Sequence, residues 1–333
     1  MKKIFAVLLL PVLAFTGCNK KTNENSNNTI TFTMSEAGGP TTISSQMDQF
    51  FKEKVEELSE GQIKIDIKFG AIFGGEESVI KMMQSKNSPV QLCRVSTFSL
   101  TTFGAKKSIL PTIPFTFKNR EHFWKFANSQ VAQELLLEPS EEKIGVRGLF
   151  FAEEGFRNFF SVYPLNSISD VKNKKIRVAS DPLVIELVKA LDSEPVFVTT
   201  NDIFAALQTG KTDIAEQPIS AYLSSSFNTV APNMILDGHT LGVTEIIISE
   251  EAWNSLTENQ QKILNEAGKL AAEYCREIAE KVEAESIEEL KKLNTNITEV
   301  QNLSEWQEAG KKVAQKYSTE YPELYEKIVK LAE

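Results

Sequence analysis

Two hydrophobic periods alternate along the chain. Thr29-Ile30-Thr31-Phe32-Thr33-Met34 places an apolar side chain at every second position, as a half-buried strand does. Met47, Phe50, Phe51, Val55 and Leu58 then recur at helical spacing, and Gly61 ends that helix. Ile63 to Ile67 alternates again; Gly74-Gly75 breaks the chain, and Val79, Ile80 and Met83 predict a helix from Glu76 onward. A short strand at Val90–Val95, a helix from about 119 to 137 and a strand at Val146–Ala152 follow. The same grammar resumes after residue 155. Strands are predicted at Lys175–Val178, Pro195–Thr199, around Ile214 to Pro218, and Leu241–Ser249, with helices at Leu183–Leu191 and Asp202–Gln208. Repeated strand–helix–strand order predicts an α/β fold with a largely parallel sheet.

A much longer helix comes next. Ser255 and Thr257 are N-cap candidates, with Glu258 and Gln260 three residues on as capping-box partners. Apolar residues at 263, 264, 267, 270, 271, 274, 275, 278 and 282 carry the period to Leu293, with Gly268 its one weak point. About 36 residues at roughly 1.5 Å each span on the order of 54 Å, more than one small domain, so the helix reads as a strut across two. Leu303 to Glu333 holds one or two further helices.

The first residues follow a different rule. Met1-Lys2-Lys3 is a positive leader, and Ile4–Thr16 is apolar but too short to span a bilayer. Phe15-Thr16-Gly17-Cys18 resembles a bacterial lipobox, with Phe15 where Leu is usual. Residues 1–17 are therefore expected to be a lipoprotein signal peptide and Cys18 the lipidated N-terminus; an ordinary secretory signal is the alternative. The polar stretch of residues 18–28 reads as a flexible tether. No later segment reaches 18 apolar residues, so no transmembrane helix is expected; with the signal and lipobox, the mature chain is expected to be exported and held on a membrane by acyl chains.

Composition narrows the chemistry. At 333 residues and 41% hydrophobic, the chain is long enough for about two domains. A net charge of −9 argues against a nucleic-acid partner. There is no nucleophile elbow. Gly210-Lys211-Thr212 looks like the tail of a phosphate loop, but Ala205 stands at its first glycine and a helix precedes it. His122 and His239 have no ligand spacing, so neither a metal nor another cofactor is expected. Cys93, in a strand-like run, and Cys275, on a helix, read as separately buried thiols rather than a disulfide. Two α/β units with no catalytic signature suggest a binder rather than an enzyme.

A set of ordered motifs sharpens this. Gly155-Phe156-Arg157, then Lys175-Ile176-Arg177-Val178, then Ala205–Gly210 ahead of Asp213–Pro218, resemble the solute-binding subunits of TRAP (tripartite ATP-independent periplasmic) transporters. Phe73-Gly74-Gly75-Glu76, Leu110–Phe115, His239 and Trp253-Asn254-Ser255-Leu256 with Gln260–Ile263 fit the same series, which covers 29–333 in order. The resemblance implies a two-lobed periplasmic-binding-protein fold, hinged, with a long helix spanning both lobes. Lobe I would take 29–154 and 243–282, and lobe II 155–242 and 283–333.

It also implies roles. Arg177 would grip a carboxylate of the ligand, which suits a planar, permanently charged fork with two parallel donors; the bland reading is a structural ion pair. Arg157 would be a second cationic contact, or would orient the first; otherwise it is a hinge salt bridge. Gln217 stands where the family has Asn before Pro, and its longer stem puts the family's common substrates in doubt. Ser96 and Thr97 would offer hydroxyls, as expected beyond the C-terminal ends of parallel strands. Glu76 would accept from the ligand or simply complement a helix N-terminus. Arg94 departs from the family's apolar or small residue and reads as a surface charge; turned inward it would favour a second anionic group on the ligand. Phe156, Phe159 and Phe160, with Phe73 and Phe227, would supply apolar walls or be core, and His239 would be a hinge or structural residue. The expected function is capture of an organic acid and delivery to a membrane permease driven by an ion gradient. The rivals are a lipoprotein serving a sensor and a secreted enzyme.

Overall fold

The computed structural model describes residues 29–332; the leader, Cys18 and the whole tether lie outside the described residues. In chain order the elements are β1 (Ile30–Ser35), α1 (Ile43–Leu58), β2 (Ile63–Lys68), α2 (Glu76–Met83), β3 (Leu92–Ser96), α3 (Arg120–Ala127), α4 (Gln130–Glu141) and β4 (Val146–Ser161). There follow β5 (Lys175–Val178), α5 (Pro182–Ala190), β6 (Glu194–Phe197), α6 (Ile203–Gln208), β7 (Ile214–Pro218), α7 (Ile219–Ser224) and β8 (Asn233–Ser249). The chain ends with α8 (Glu250–Ser255), α9 (Glu258–Lys292), β9 (Asn296–Glu299), α10 (Leu303–Tyr317) and α11 (Pro322–Lys330).

Among the described residues the strands form one nine-stranded sheet in the order β2-β1-β3-β8-β4-β7-β5-β6, with β9 beside β8. β1, β2 and β3 are mutually parallel at one end, and β5, β6 and β7 at the other. The antiparallel pair β4 and β8 joins them. β3 pairs with the last part of β8, whereas β7 pairs with the last part of β4. The sequence predicts β4 and β8 as short strands; each instead runs through both groups. Register shifts in β4 mark the crossing, one of them between Glu153 and Phe156. Gly155 sits in that bulge at φ +96°, where a Cβ would be strained and would meet Glu283 Oε1 at 3.1 Å.

α9 is the expected strut. Its capping box at Thr257 and Gln260 is formed, and it runs 35 residues. It packs on α1 of the first group, on β4, and on α7 of the second; the rings of Phe50 and Tyr274 stack at 4.2 Å. The predicted helix over 119–137 is two helices, because Ser129 caps a new start by accepting from the Ala132 N–H. α10 packs on α5 of the second group. α11 instead returns to the first: it packs on α4, and the Ile328 carbonyl lies 2.8 Å from His122 Nε2. Cys93 and Cys275 are free, buried thiols.

Candidate functional site

Arg177 lies in β5, paired with Val196 of β6, and is only 1% exposed. Its Nε donates to the Val198 carbonyl at 2.9 Å and its Nη2 to Thr200 Oγ1 at 3.4 Å. The nearest carboxylate, Glu216 on β7, stands 3.8 Å from Nη1, beyond hydrogen-bond range. Burial disfavours the charge, Glu216 only partly offsets it, and Arg157 adds repulsion. The guanidinium is pulled down to about 10. Arg177 is thus a buried cation whose charge the protein leaves incompletely answered.

Arg157 shows the opposite condition. It donates to both oxygens of Glu216, through Nε and, at 3.0 Å, through Nη2, while Nη1 reaches Glu154 Oε1 at 2.6 Å. Burial alone would raise the Glu216 carboxyl, but Arg157 and His239 outweigh it and hold it at about 2. His239 is fully buried, stacked on Phe159 at 4.4 Å, with Nδ1 2.7 Å from Asp237 and Nε2 3.7 Å from Glu216. Burial opposes its charge, yet Asp237 and Glu216 lift the imidazolium to about 9. The Asp237 carboxylate and the Phe159 ring hold it in place within the fold.

Facing these groups from the first strand set is Arg94, which is buried at 5% exposure rather than at the surface. It binds Glu36 through two parallel donors, Nε to Oε2 at 2.9 Å and Nη2 to Oε1 at 2.7 Å. Its Nη1 lies 3.3 Å from Glu76 and 3.6 Å from Glu154 Oε2. The expected surface charge is corrected for a physical reason: Glu36, at the end of β1 and fully buried, can only be accommodated with a cation against it. Glu76 opens α2 and accepts from the Ser96 N–H at 3.0 Å and from Ser99 Oγ at 2.6 Å. Burial nonetheless raises its carboxyl, helped by Glu154 and opposed by Arg94, Ser99 and Ser96.

The remaining candidates separate. Ser96 is half-buried, while Thr97 is fully buried with its hydroxyl unpartnered. Gln217 is 9% exposed and opposite Asn158 in the β4–β7 ladder. Phe156 is half-buried under the Arg120 guanidinium at 5.5 Å. Phe159, Phe160 and Phe227 are core, and Phe73 packs against the core beneath α2. Sequence reasoning missed Glu36, Glu154, Glu216 and Asp237 as partners of the cations. The one available signal was Glu216 itself, inside the motif Asp213–Pro218. Two surface grooves, one along Pro164–Asn166 and Thr295–Thr298 and one between Thr41, Ser220 and Ser286, do not reach Arg177.

Residues 34–320 match the family described as bacterial extracellular solute-binding protein, family 7. A TRAP periplasmic solute-binding protein from Pseudomonas putida F1, solved with D-glucuronate bound, is 26% identical. It superposes with a TM-score of 0.84 over 90% of this chain and 96% of its own. A second, from Polaromonas sp. JS666 and bound to D-erythronate, is 25% identical with a TM-score of 0.84, over 90% of this chain and 98% of its own. A solute-binding protein of Sulfitobacter sp. is 26% identical over 274 residues, 81% of each chain. These relatives are solute binders rather than enzymes, and the chain belongs to family 7, the extracytoplasmic solute-binding proteins of TRAP-type transporters.

Proposed function

We propose that Arg177 clamps the carboxylate of a sugar acid as the two lobes close, and that the loaded protein hands this cargo to a TRAP-type permease. The single observation that carries the clamp is the under-answered charge of Arg177, which has no carboxylate within hydrogen-bond range. A ligand carboxylate meeting two of its donors would supply what the protein withholds, in a site where burial strengthens the pair. Arg157 then acts as a positioning residue: its donors are spent on Glu216 and Glu154, which keeps Glu216 from collapsing onto Arg177. Glu76, Ser96, Thr97 and Gln217 supply acceptors and donors for hydroxyl groups around the clamp.

The sugar-acid class is supported by the two relatives whose bound molecules, D-glucuronate and D-erythronate, share one carboxylate and several hydroxyls. Because Arg177 is buried, entry requires the lobes to part, with β4, β8 and α9 as the crossings that flex. We place lobe I at 29–154 and 243–282 and lobe II at 155–242 and 283–321, and move α11 from the expected lobe II to lobe I, because it packs on α4 and meets His122. Cys18 is proposed as the lipid anchor on the outer side of a membrane.

Thermal unfolding of the anchor-free protein with D-glucuronate, D-erythronate, D-galactonate and neutral D-glucose tests this. At about 100 times its Kd an acid stabilises by roughly 2.7 kcal/mol, a clear rise in Tm. At least one acid is expected to give it and glucose none; no rise with any acid rejects the reading.

A further inference from the structure

Three arginines converge on this site, and a site rich in arginine invites a ligand with more than one acid group. Their partners say otherwise. Two forks are already filled, Arg94 by Glu36 and Arg157 by Glu216, and only Arg177 lacks a carboxylate at hydrogen-bond distance. Around them stand four glutamates, Glu36, Glu76, Glu154 and Glu216, against three guanidiniums, with the buried Asp48 beside Glu36 and Asp181 beside Glu216, while His239 and Asp237 offset each other. The remaining donor of Arg94, Nη1, points between Glu76 and Glu154, whose side chains are 19% and 17% exposed. What the lobe I wall offers a guest is therefore carboxylate oxygen, well placed to accept from hydroxyls and badly placed for a second anion.

We propose that the Arg94–Glu36 pair makes the protein selective for acids with one carboxylate: Glu36 occupies the fork of Arg94, and Glu76 and Glu154 repel a second acid group. This rests on Arg177 being the carboxylate clamp. Like charges brought together in a closed cleft cost several kcal/mol, and specificity is built from such repulsion as much as from attraction. The Arg94–Glu36 pair also sets what the site could become. With Glu36 neutral, the Arg94 fork loses the carboxylate that meets two of its donors, and the wall carries one negative charge fewer against a second acid group.

The test uses matched probes whose only difference is the far end of the chain: D-galactonate against galactarate, D-gluconate against D-glucarate, and butyrate against succinate. Each is titrated calorimetrically into the wild-type protein and into Glu36→Gln and Glu76→Gln. The wild type is expected to bind the monoacid of any pair it accepts roughly 100-fold or more tightly than the diacid. Glu36→Gln should narrow that gap by about tenfold or more, through gain of diacid affinity rather than loss of monoacid affinity. Glu76→Gln, which keeps Glu36 and its two hydrogen bonds from Arg94, should narrow the gap in the same direction, and it carries the test if Glu36→Gln does not fold. A wild-type protein that binds a diacid as tightly as its monoacid overturns the inference while leaving the clamp standing. An unchanged gap in the folded variants overturns it as well. If no member of any pair binds, this inference falls; the clamp reading falls with it only if D-glucuronate and D-erythronate also give no rise in Tm.

Discussion

Arg177 on β5 and Glu216 on β7 stand 3.8 Å apart, close enough to attract and too far to hydrogen-bond. The gap has a cause. Both oxygens of Glu216 are taken by Arg157, and His239 stands on its other side. One carboxylate is thus shared unequally among three cations, and the least served of them carries the proposed function.

Replacing Glu216 by Gln should show how much depends on that sharing. The variant leaves Arg157 and Arg177 facing each other without their common counter-ion, and breaking such a buried pair costs about 3–5 kcal/mol. Chemical denaturation is expected to show a loss of that order at pH 7. In the wild type the same group, held at about 2 in the folded protein and ordinary when unfolded, gives stability that is complete above about pH 4.5. That stability is lost as pH falls through 2. A Glu216→Gln protein of unchanged stability contradicts the ion-pair account.

His239 gives an alkaline counterpart. Its folded value of about 9 lies above the ordinary histidine range, so its contribution is fully present below about pH 6.5 and disappears as pH rises through 9. The linkage amounts to up to about 3 kcal/mol. Stability measured by urea denaturation should fall between pH 7 and 9 in the wild type and markedly less in His239→Gln. Parallel curves would show that the imidazole is not charged in the fold.

Gly268 permits a prediction in which two known effects oppose. An Ala in a helix interior is ordinarily favoured over Gly by about 1 kcal/mol. At this position a Cβ would meet the Phe150 ring at 2.6 Å, and that ring is packed in the buried core. Overpacking of this kind costs about 1–3 kcal/mol. Gly268→Ala should therefore lower Tm, and a higher Tm would show that Phe150 can move.

The same position shows what the sequence could and could not disclose. Helical period and the Thr257–Gln260 capping box marked α9 to within a few residues, because both are local. Gly268 looked like a weakness in that helix, since the ring that requires it belongs to β4, more than a hundred residues away. β4 and β8 were legible only in part: Glu153, Glu154 and Arg157 in one, and Asp237 and His239 in the other, interrupt the alternation that announces a strand. Those interruptions are the charged groups that gather around Arg157 and Glu216. Arg94 was misjudged for a related reason, as its partner Glu36 is 58 residues distant and nothing local advertises it. Arg177 was found because its motif resembled a family's, and its chemistry became readable only once Glu216 and Arg157 stood beside it.

The central claim is tested most directly by titrating the tightest-binding sugar acid into Arg177→Ala and Arg177→Lys by calorimetry, alongside unfolding of the ligand-free proteins. Arg177→Ala should lose about 2–5 kcal/mol of binding, tens-fold to several-thousand-fold, and lysine should restore only part of it. In the ligand-free Arg177→Ala protein the lost hydrogen bonds to Val198 and Thr200 and the lost packing are partly offset by removal of a buried, poorly answered charge, so it should lose less stability than Glu216→Gln. Near-equal affinity in wild type and Arg177→Ala would contradict the account.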